Sequence, residues 1–311
     1  MNEIRTVFMG SPEFALTILQ SLVGKVNLVG VVTQPDRPAG RGKVLTAPPV
    51  KRLAQEIGIP VLQPERLRNP DSFAQLQAWQ PDLIIVAAFG QILRQNVLEL
   101  PKFGCINVHA SLLPCWRGAA PIQAAILHGD KETGVTIMQM DAGVDTGGIL
   151  AQQTVPILDE DDAASLSSRL AIAGAKLLLD SLPGILAGTI QPVQQNHELA
   201  TYAPMIKKED GFLDFTTPAQ ALARRVRAFT PWPGTSMRWD GQNLKVIRAK
   251  AMSGSKILPG QRGIVDGLPV IGTSDGMLAL LEVQPPGKKA MPGKVFLNGA
   301  RNWENISIRS N

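Results

Sequence analysis

The sequence predicts two domains, an α/β domain built on a doubly wound sheet and a smaller β-barrel domain that follows it. Through the first half of the chain, short β-like runs alternate with amphipathic helical patterns, which is the rhythm of parallel strands joined by crossover helices. From Gly211 onward, short alternating segments are broken by turn pairs such as Asp240-Gly241 and Asp266-Gly267. A chain of 311 residues, of which 44% are apolar, is long enough to form a core in each domain.

Short apolar runs define the strands of the predicted sheet. They cover residues 5–9, 28–33, 61–62, 83–89 and 105–109, and two further strands are predicted at 136–140 and 149–156. After the first strand, Ser11 is placed to cap a helix that begins at Pro12. Only Gly10 precedes Gly24, so the Gly-rich fingerprint of dinucleotide binding is missing. We therefore expect a Rossmann-like sheet without its cofactor fingerprint.

Two helical patterns follow the strands and help to divide the chain. The first covers 165–186 and should kink or end at Pro183. The second covers 218–229, with Arg224, Arg225 and Arg227 on the surface outside its apolar face. A polar stretch without periodicity separates the two patterns, which suits a crossing between domains. We expect a first domain at 1–190, a linker at 191–208 and an oligonucleotide-binding-like (OB-like) barrel at 209–311.

Charge is distributed unevenly along the chain. Residues 203–311 contain 16 Lys and Arg against 8 Asp and Glu, a net charge of +8, while residues 1–202 contain 15 against 18 and carry −3. A domain-sized positive excess favours a polyanionic partner such as nucleic acid, because Lys and Arg that contact phosphates release counterions. A solvated basic surface would give the same composition.

Several classes of protein are excluded by composition. No apolar run reaches the roughly 20 residues needed to span a bilayer, so we expect no membrane segment and a cytoplasmic location. The two cysteines provide no disulfide framework. The three histidines, His109, His128 and His197, share no ligand spacing, and we expect no metal.

The strongest functional signal lies between Asn107 and Asp145. If residues 105–108 form a buried strand, alternation places Asn107 and His109 on the same face, where the strand ends at the ligand edge of the sheet. An amide can donate to an oxyanion, an imidazolium can donate or pass a proton, and the Asp145 carboxylate can orient the ring. No Ser or Cys forms a nucleophile elbow, so this set favours acyl transfer by direct attack. The alternatives are a strand-end histidine, a turn-capping Asn107 and a turn-capping Asp145.

These residues belong to longer motifs that resemble the 10-formyltetrahydrofolate-dependent formyltransferases, and the resemblance covers nearly the whole chain. Besides Asn107 and His109, the motifs are Ser111 to Pro114, Trp116-Arg117-Gly118-Ala119-Ala120-Pro121-Ile122-Gln123, Thr133-Gly134-Val135-Thr136, the loop from Asp141 to Gly147, the Gln34 to Lys43 loop and Phe229-Thr230-Pro231-Trp232-Pro233. Two departures are Ala110, where Gly is common, and Cys115, where Arg is frequent.

The resemblance implies that 10-formyltetrahydrofolate donates a formyl group to the α-amino group of methionyl initiator tRNA, in a monomeric enzyme. The implied catalytic residues are Asn107, His109 and Asp145. The implied folate-binding residues are Ser111, Leu112, Leu113, Pro114, Val86, Ala87, Ala88, Phe89, Gly90, Met140, Asp141, Ala142 and Gly143. The implied tRNA-binding residues are Arg41, Lys43, Arg117, Lys207, Arg224, Arg225 and Arg227, although Arg117 could instead hold the turn.

Other functions share part of this pattern. Related enzymes formylate small amines or amino sugars, and deacylases hydrolyse formyltetrahydrofolate. A tRNA-binding protein with an inactive α/β domain would have lost the three catalytic residues, which are intact here. The basic second half of the chain and the Arg41 loop favour tRNA as the acceptor.

Overall fold

The computed structural model describes residues 3–39, 42, 44–254 and 257–304. The chain forms two compact units, which we call the first and the second unit. The first unit contains the residues up to 121 together with 131–157 and 166–204. The second contains 122–130, 158–165 and the residues from 205 onward. The division of the chain at residues 190 and 208 stays a prediction.

The first unit is built on a seven-stranded sheet whose central strands are parallel. The strands of this unit are β1 (Arg5–Gly10), β2 (Asn27–Val32), β3 (Arg37–Ala39), β4 (Val44–Thr46), β5 (Val61–Leu62), β6 (Leu83–Ala87), β7 (Cys105–His109), β8 (Arg117–Gly118), β9 (Glu132–Gln139), β10 (Ile149–Pro156) and β11 (Tyr202–Ala203). The order in the sheet is β10-β9-β7-β6-β1-β2-β5. The five strands β7, β6, β1, β2 and β5 form parallel pairs with their neighbours. Strand β9 pairs antiparallel with β7, and β10 pairs antiparallel with β9. The doubly wound α/β prediction is confirmed.

Helices connect or follow these strands. They are α1 (Glu13–Leu22), α2 (Pro49–Glu56), α3 (Pro70–Ala78), α4 (Gln95–Leu98), α5 (Pro121–His128) and α6 (Ala163–Leu186). Every side chain of β6 and β7 is buried, so the middle of the sheet forms the core of this unit. None of the helices in the described ranges is both long and apolar enough to cross a membrane.

Two local predictions for the first unit differ from the structure, whereas the predicted end of α6 at Leu186 agrees with it. Helix α1 starts at Glu13 without a side-chain cap, because the Ser11 hydroxyl instead accepts from the backbone N–H of Gln34 at 3.0 Å and from Thr33. Strand β6 ends at Ala87, two residues early, since Ala88 has a φ of +45° and leaves the extended conformation. Helix α6 continues past Pro183 to Leu186.

Besides most of α5 and the first residues of α6, the second unit contains an antiparallel sheet and two helices. Its strands are β12 (Thr235–Trp239), β13 (Gln242–Met252), β14 (Arg262–Val265), β15 (Leu268–Gly272), β16 (Met277–Gln284) and β17 (Met291–Pro292), and its helices are α7 (Ala219–Ala228) and α8 (Gly293–Leu297). The order is β12-β13-β16-β15-β14, with β17 paired to β16. Among the described residues, β12 and β14 are the edge strands of this sheet and do not pair with each other. No hydrogen-bonded ladder between them closes the predicted barrel.

Local sequence signals predict much of the second unit correctly. Asp240-Gly241 and Asp266-Gly267 have positive φ at both residues and connect hairpins, as such pairs do in type I′ turns. Helix α7 buries Leu222 and Val226, the side chains that the helical pattern placed on its apolar face. The core also contains Trp303, whose indole N–H donates to the Gly263 carbonyl at 2.8 Å.

Thr136 of β9 joins the loop after β7 to the sheet. Its buried hydroxyl donates to the Ser111 carbonyl at 2.7 Å and accepts from the Leu113 N–H at 3.1 Å and from the Gln152 amide at 2.9 Å. A hydroxyl has one donor and two acceptor positions, so the bonding capacity of Thr136 is used completely.

We expect Thr136→Val to lower the free energy of unfolding by about 1–3 kcal/mol, because the isosteric methyl leaves buried polar groups of the loop without a partner. Denaturant unfolding measures this loss. Thr154→Val on the neighbouring strand β10 is the matched control, since Thr154 is exposed and its replacement should change the free energy by no more than about 0.5 kcal/mol. An equal loss in both variants would show that the hydroxyl of Thr136 does not hold the loop.

Candidate functional site

Asn107 and His109 point from the same face of β7 towards one carboxylate. The Asn107 amide nitrogen Nδ2 lies 3.5 Å from Oδ1 of Asp145, and the ring nitrogen Nδ1 of His109 lies 3.6 Å from the same oxygen. Both side chains are buried, and the Asp145 side chain is 16% exposed. The three residues that the sequence singled out therefore meet at the end of a central strand.

Asp145 is held by the backbone on both sides. Its φ of +54° places it in the left-handed region, which is uncommon for a residue with a side chain. Its second carboxylate oxygen accepts the Gly118 N–H at 2.8 Å. Gly118 has a φ of +116°, and a Cβ at this position would lie 2.6 Å from the Ala203 carbonyl oxygen. Glycine is therefore required at the position that donates to Asp145.

The ring of His109 lies between two acceptors. Its Nε2 is 3.0 Å from the Trp116 carbonyl oxygen, which can only accept, so Nε2 carries a proton. Its Nδ1 faces Asp145 at a distance too long for a good hydrogen bond. A neutral ring has one N–H, so only an imidazolium could donate towards both acceptors. The site can thus hold a second proton on Nδ1 beside a carboxylate.

The predicted folate-binding residues fall into a buried set and an accessible set. Ser111, Leu113, Val86, Ala87 and Phe89 are buried, and the Ser111 hydroxyl donates to the Cys115 carbonyl at 2.6 Å. The accessible or partly accessible residues are Leu112, Pro114, Ala88, Gly90, Met140, Asp141, Ala142 and Gly143. The buried set shapes the loops, and the accessible set is available to a ligand.

The loop from Asp141 to Gly147 has its own internal bonds. Oδ1 of Asp141 accepts the Gly143 N–H at 3.1 Å and the Thr146 hydroxyl at 2.7 Å. These contacts close residues 141–146 into a compact turn that includes Asp145. Asp141 therefore orders the loop that carries the catalytic candidate.

The predicted tRNA-binding residues lie in different environments. Arg41 and Lys43 are outside the described residues. Lys207 is exposed, whereas Arg224, Arg225 and Arg227 are partly buried on α7. Arg117 is buried, and its guanidinium donates to Oε1 of Gln195 at 2.7 and 3.1 Å. Of the two roles that the sequence left open for Arg117, its burial favours holding the turn.

Sequence reasoning missed Gln195. This residue is buried, and its amide nitrogen donates to the carbonyl oxygens of Asp145 and Gly147 at 2.9 and 2.7 Å. Gln191 and Gln194 stand in the same polar stretch but are exposed. No periodic pattern distinguishes the three glutamines, so only the tertiary contacts identify the functional one.

A search for metal ligands gives no candidate among the described residues. No group of three or more His, Cys, Asp or Glu side chains there is arranged so that it could hold an ion.

Burial raises the pKa of the Cys105 thiol, which lies two residues before Asn107, to about 12. Cys105 is therefore protonated and unreactive near neutral pH, and the polar chemistry of this strand end belongs to Asn107 and His109.

Comparison with known proteins identifies the family. The family model for formyl transferase matches residues 5–182, and the model for the formyl transferase C-terminal domain matches residues 205–301. The methionyl-tRNA formyltransferase of Myxococcus xanthus (strain DK1622) is 49% identical over 304 residues, which are 96% of each protein. The methionyl-tRNA formyltransferase of Bacillus subtilis (strain 168) is 46% identical over 300 residues, or 95% of each.

Solved structures show the same fold at low sequence identity. The N-formyltransferase from Helicobacter canadensis, in complex with folinic acid and dTDP-3-aminofucose, has a TM-score of 0.65 at 19% identity, with 89% of this chain and 98% of that chain covered. HypX from Aquifex aeolicus, in complex with tetrahydrofolic acid, has a TM-score of 0.62 at 20% identity over 94% of this chain. This chain spans about half of the length of HypX, 47%. Two family models and near-full-length relatives of 46–49% identity agree: the chain belongs to the methionyl-tRNA formyltransferase family.

Proposed function

We propose that this protein transfers the formyl group of 10-formyltetrahydrofolate to the α-amino group of methionyl initiator tRNA by direct attack. The observation that carries the mechanism is the meeting of Asn107, His109 and Asp145 at the end of β7. Support for the substrates comes from the relatives, which are named methionyl-tRNA formyltransferases, and from the folates in the two structural neighbours.

The reaction needs charge stabilisation more than it needs a strong base. An α-amino group has an ordinary pKa of about 7.7–8.0, so a useful fraction is neutral near pH 7.5. The amine nitrogen bonds to the formyl carbon, and the carbonyl oxygen becomes an oxyanion. When the bond from that carbon to N10 breaks, the amine has lost a proton and N10 has gained one.

Asn107 is suited to bind the oxyanion. Its amide has two N–H groups, and the single contact with Asp145 at 3.5 Å is long and weak. At least one N–H can therefore turn to the developing oxygen without breaking a strong bond. Contacts of this kind tighten in the complex with substrate.

His109 is suited to deliver the proton and to add positive charge. Its Nε2 is fixed by the Trp116 carbonyl, whereas Nδ1 stays 3.6 Å from Asp145 and is not locked in a hydrogen bond. We assign the proton on Nδ1 to the departing N10, and the proton that the amine loses returns to Nδ1 and restores the imidazolium. Asp145 stabilises the imidazolium and keeps the ring in this orientation.

The folate would bind at accessible backbone of two loops. The segments 86–90 and 140–143 present Ala88, Gly90 and the exposed residues from Asp141 to Gly143. Residues 111–114 follow β7, the strand that carries Asn107 and His109. Gln34 donates to the Phe89 carbonyl at 3.0 Å and so fixes the first of these loops. We assign the pterin ring to these two segments.

The tRNA would contact basic residues of both units, namely Arg41, Lys43, Lys207, Arg224, Arg225 and Arg227. The three arginines of α7 each donate to a backbone carbonyl of the second unit, at 3.1 Å to Leu127, 3.2 Å to Asp210 and 2.8 Å to Asp161 respectively. A guanidinium has five N–H groups, so one such bond leaves donors for a phosphate.

Arg225 is the arginine of α7 that is best placed for an RNA contact. Its bond to the Asp210 carbonyl is exposed, and its guanidinium lies 5.8 Å from the centre of the Phe229 ring. Arg227 is less available because its bond to the Asp161 carbonyl at 2.8 Å is part-buried. The same burial lowers the pKa of Arg227, although the carboxylates of Asp159 and Asp161 oppose this shift. We therefore choose Arg225 for the test below.

The acceptor is tested by formyl incorporation from labelled 10-formyltetrahydrofolate into charged initiator and elongator methionyl tRNA. We expect rapid labelling of the initiator and little labelling of the elongator. Equal labelling of both, or labelling of neither, would contradict the proposed function. An uncharged initiator tRNA is the control for transfer to the α-amino group.

Replacement of the two donors tests the mechanism. We expect Asn107→Ala to slow the single-turnover rate by about 10² to 10³, which is the typical effect of removing one oxyanion donor. His109→Ala should lose at least as much, because it acts on both the oxyanion and the proton. The measurement is the single-turnover rate with both substrates saturating.

His128→Ala and Asn69→Ala are the matched controls for these replacements. The side chain of His128 is 69% exposed and pairs with Asp130, and Asn69 is an exposed residue that makes no side-chain cap to α3. Both controls should keep the normal rate. A normal rate in Asn107→Ala or His109→Ala would refute the role that we assign to that residue.

The tRNA contact is tested by salt dependence. If Arg225 contacts a phosphate, Arg225→Ala should reduce the slope of log K for tRNA binding against log salt by about 0.7–0.9. Arg238→Ala is the control, because Arg238 is an exposed arginine of the second unit and, like Arg225, donates to a backbone carbonyl in an exposed bond, here that of Gly241. The same reduction in both variants would indicate a general electrostatic effect of the positively charged second unit. An unchanged slope in Arg225→Ala would make Arg225 a structural residue.

A further inference from the structure

Gln195 links the Arg117 guanidinium to Asp145 through hydrogen bonds. The Gln195 amide nitrogen donates to the Asp145 carbonyl, and Oε1 of Gln195 accepts twice from the Arg117 guanidinium. The residue after Arg117, Gly118, donates its N–H to the Asp145 carboxylate. Asp145 is thus held through its main chain by Gln195, which Arg117 anchors, and through its side chain by Gly118.

The bonding capacity of Gln195 is used completely. Its two N–H groups donate to the carbonyls of Asp145 and Gly147, and its oxygen receives two N–H groups of Arg117. The side chain is 5% exposed, so water could not replace a lost partner easily. Any change of the amide therefore alters the loop directly.

Arg117 is fixed as firmly as Gln195. It is 2% exposed, and one of its terminal nitrogens lies 3.1 Å from Nδ1 of His197. A guanidinium can only donate, so this nitrogen of His197 is the acceptor. The backbone N–H of Arg117 donates to the Thr201 carbonyl at 2.9 Å, and β8 pairs with β11. Burial of a full charge at this place is costly, which suits a role beyond packing.

The loop that carries Asp145 needs such support. Residues 141–144 are exposed, and Asp145 has the uncommon φ of +54°. Strands β9 and β10 flank the loop but end at Gln139 and begin at Ile149, so Asp145 is in neither ladder. The bonds from Gln195 and Gly118 are what set the direction of its carboxylate.

We infer that Gln195, anchored by Arg117, is a positioning residue that sets the Asp145 carboxylate against His109. This inference rests on the proposed function, in which Asp145 orients the imidazolium. Gln195 touches neither substrate in this account and acts through Asp145 alone. The segment that crosses between the two predicted domains therefore also completes the catalytic site.

The test is a double-mutant cycle between Gln195→Glu and Asp145→Asn. Glutamate keeps an acceptor for Arg117 but has no N–H for the carbonyls of Asp145 and Gly147. We expect Gln195→Glu to lower the single-turnover rate by about 10- to 100-fold, the size of effect that a misplaced catalytic group produces. In the Asp145→Asn background the same change should lower the rate by less than about threefold, because the group that Gln195 positions is already lost.

A purely structural role for Gln195 predicts a different result. It would lower the single-turnover rate by the same factor in both backgrounds, and that outcome would overturn the inference. Gln191→Glu is the matched control, because the exposed Gln191 amide donates to the Gly188 carbonyl in the same stretch but does not contact the loop. This control should keep the normal rate.

Two further variants separate failure of this inference from failure of the proposed function. If Gln195→Glu is unfolded at the assay temperature, Arg117→Lys replaces it in the double-mutant cycle. Lysine keeps the charge but cannot make the paired contact with Oε1 of Gln195. Asp145→Asn alone tests the proposed mechanism: a normal rate would refute the role of Asp145. Additive losses together with an impaired Asp145→Asn would instead refute only the role of Gln195.

Discussion

The organisation of the site depends on the contacts that the Asp145 carboxylate makes. Removing a carboxylate from water is unfavourable unless its oxygens gain donors. Here one oxygen faces the donors Asn107 and His109 from the central strand β7, and the other accepts the N–H of Gly118. The short Gly118 contact holds the carboxylate, the Trp116 carbonyl holds the imidazole ring, and the carboxylate faces the amide and the imidazole that we assign to catalysis.

Basic side chains in this protein have structural partners as well as a possible role towards RNA. The buried Arg117 is bonded to Gln195, and each arginine of α7 donates to a carbonyl of its own unit. The charge of +8 in residues 203–311 therefore does not measure the number of phosphate contacts. A guanidinium with five donors can serve the fold and still reach a ligand, and salt dependence separates the two uses.

Patterns between near neighbours predicted most of the fold and the centre of the site. Strand alternation placed Asn107 and His109 together, and Asp-Gly pairs marked two hairpins of the second unit. Errors arose where a distant partner competed with the local preference. Ser11 does not cap α1 because Gln34 and Thr33 use its hydroxyl. Strand β9 starts at Glu132, earlier than predicted, because residues 132–135 pair with residues 153–156 of β10.

The sequence by itself determined the α/β class, the antiparallel second unit and the identity of Asn107, His109 and Asp145. The tertiary structure alone decided that Arg117 lies in the interior and that Gln195 holds the loop of Asp145. Gln195 is separated from Asp145 by 50 residues and from Arg117 by 78. Helical and strand periods report only on residues a few positions apart. A hydrogen bond across such separations leaves no periodic trace, so it becomes visible only when the chain has folded.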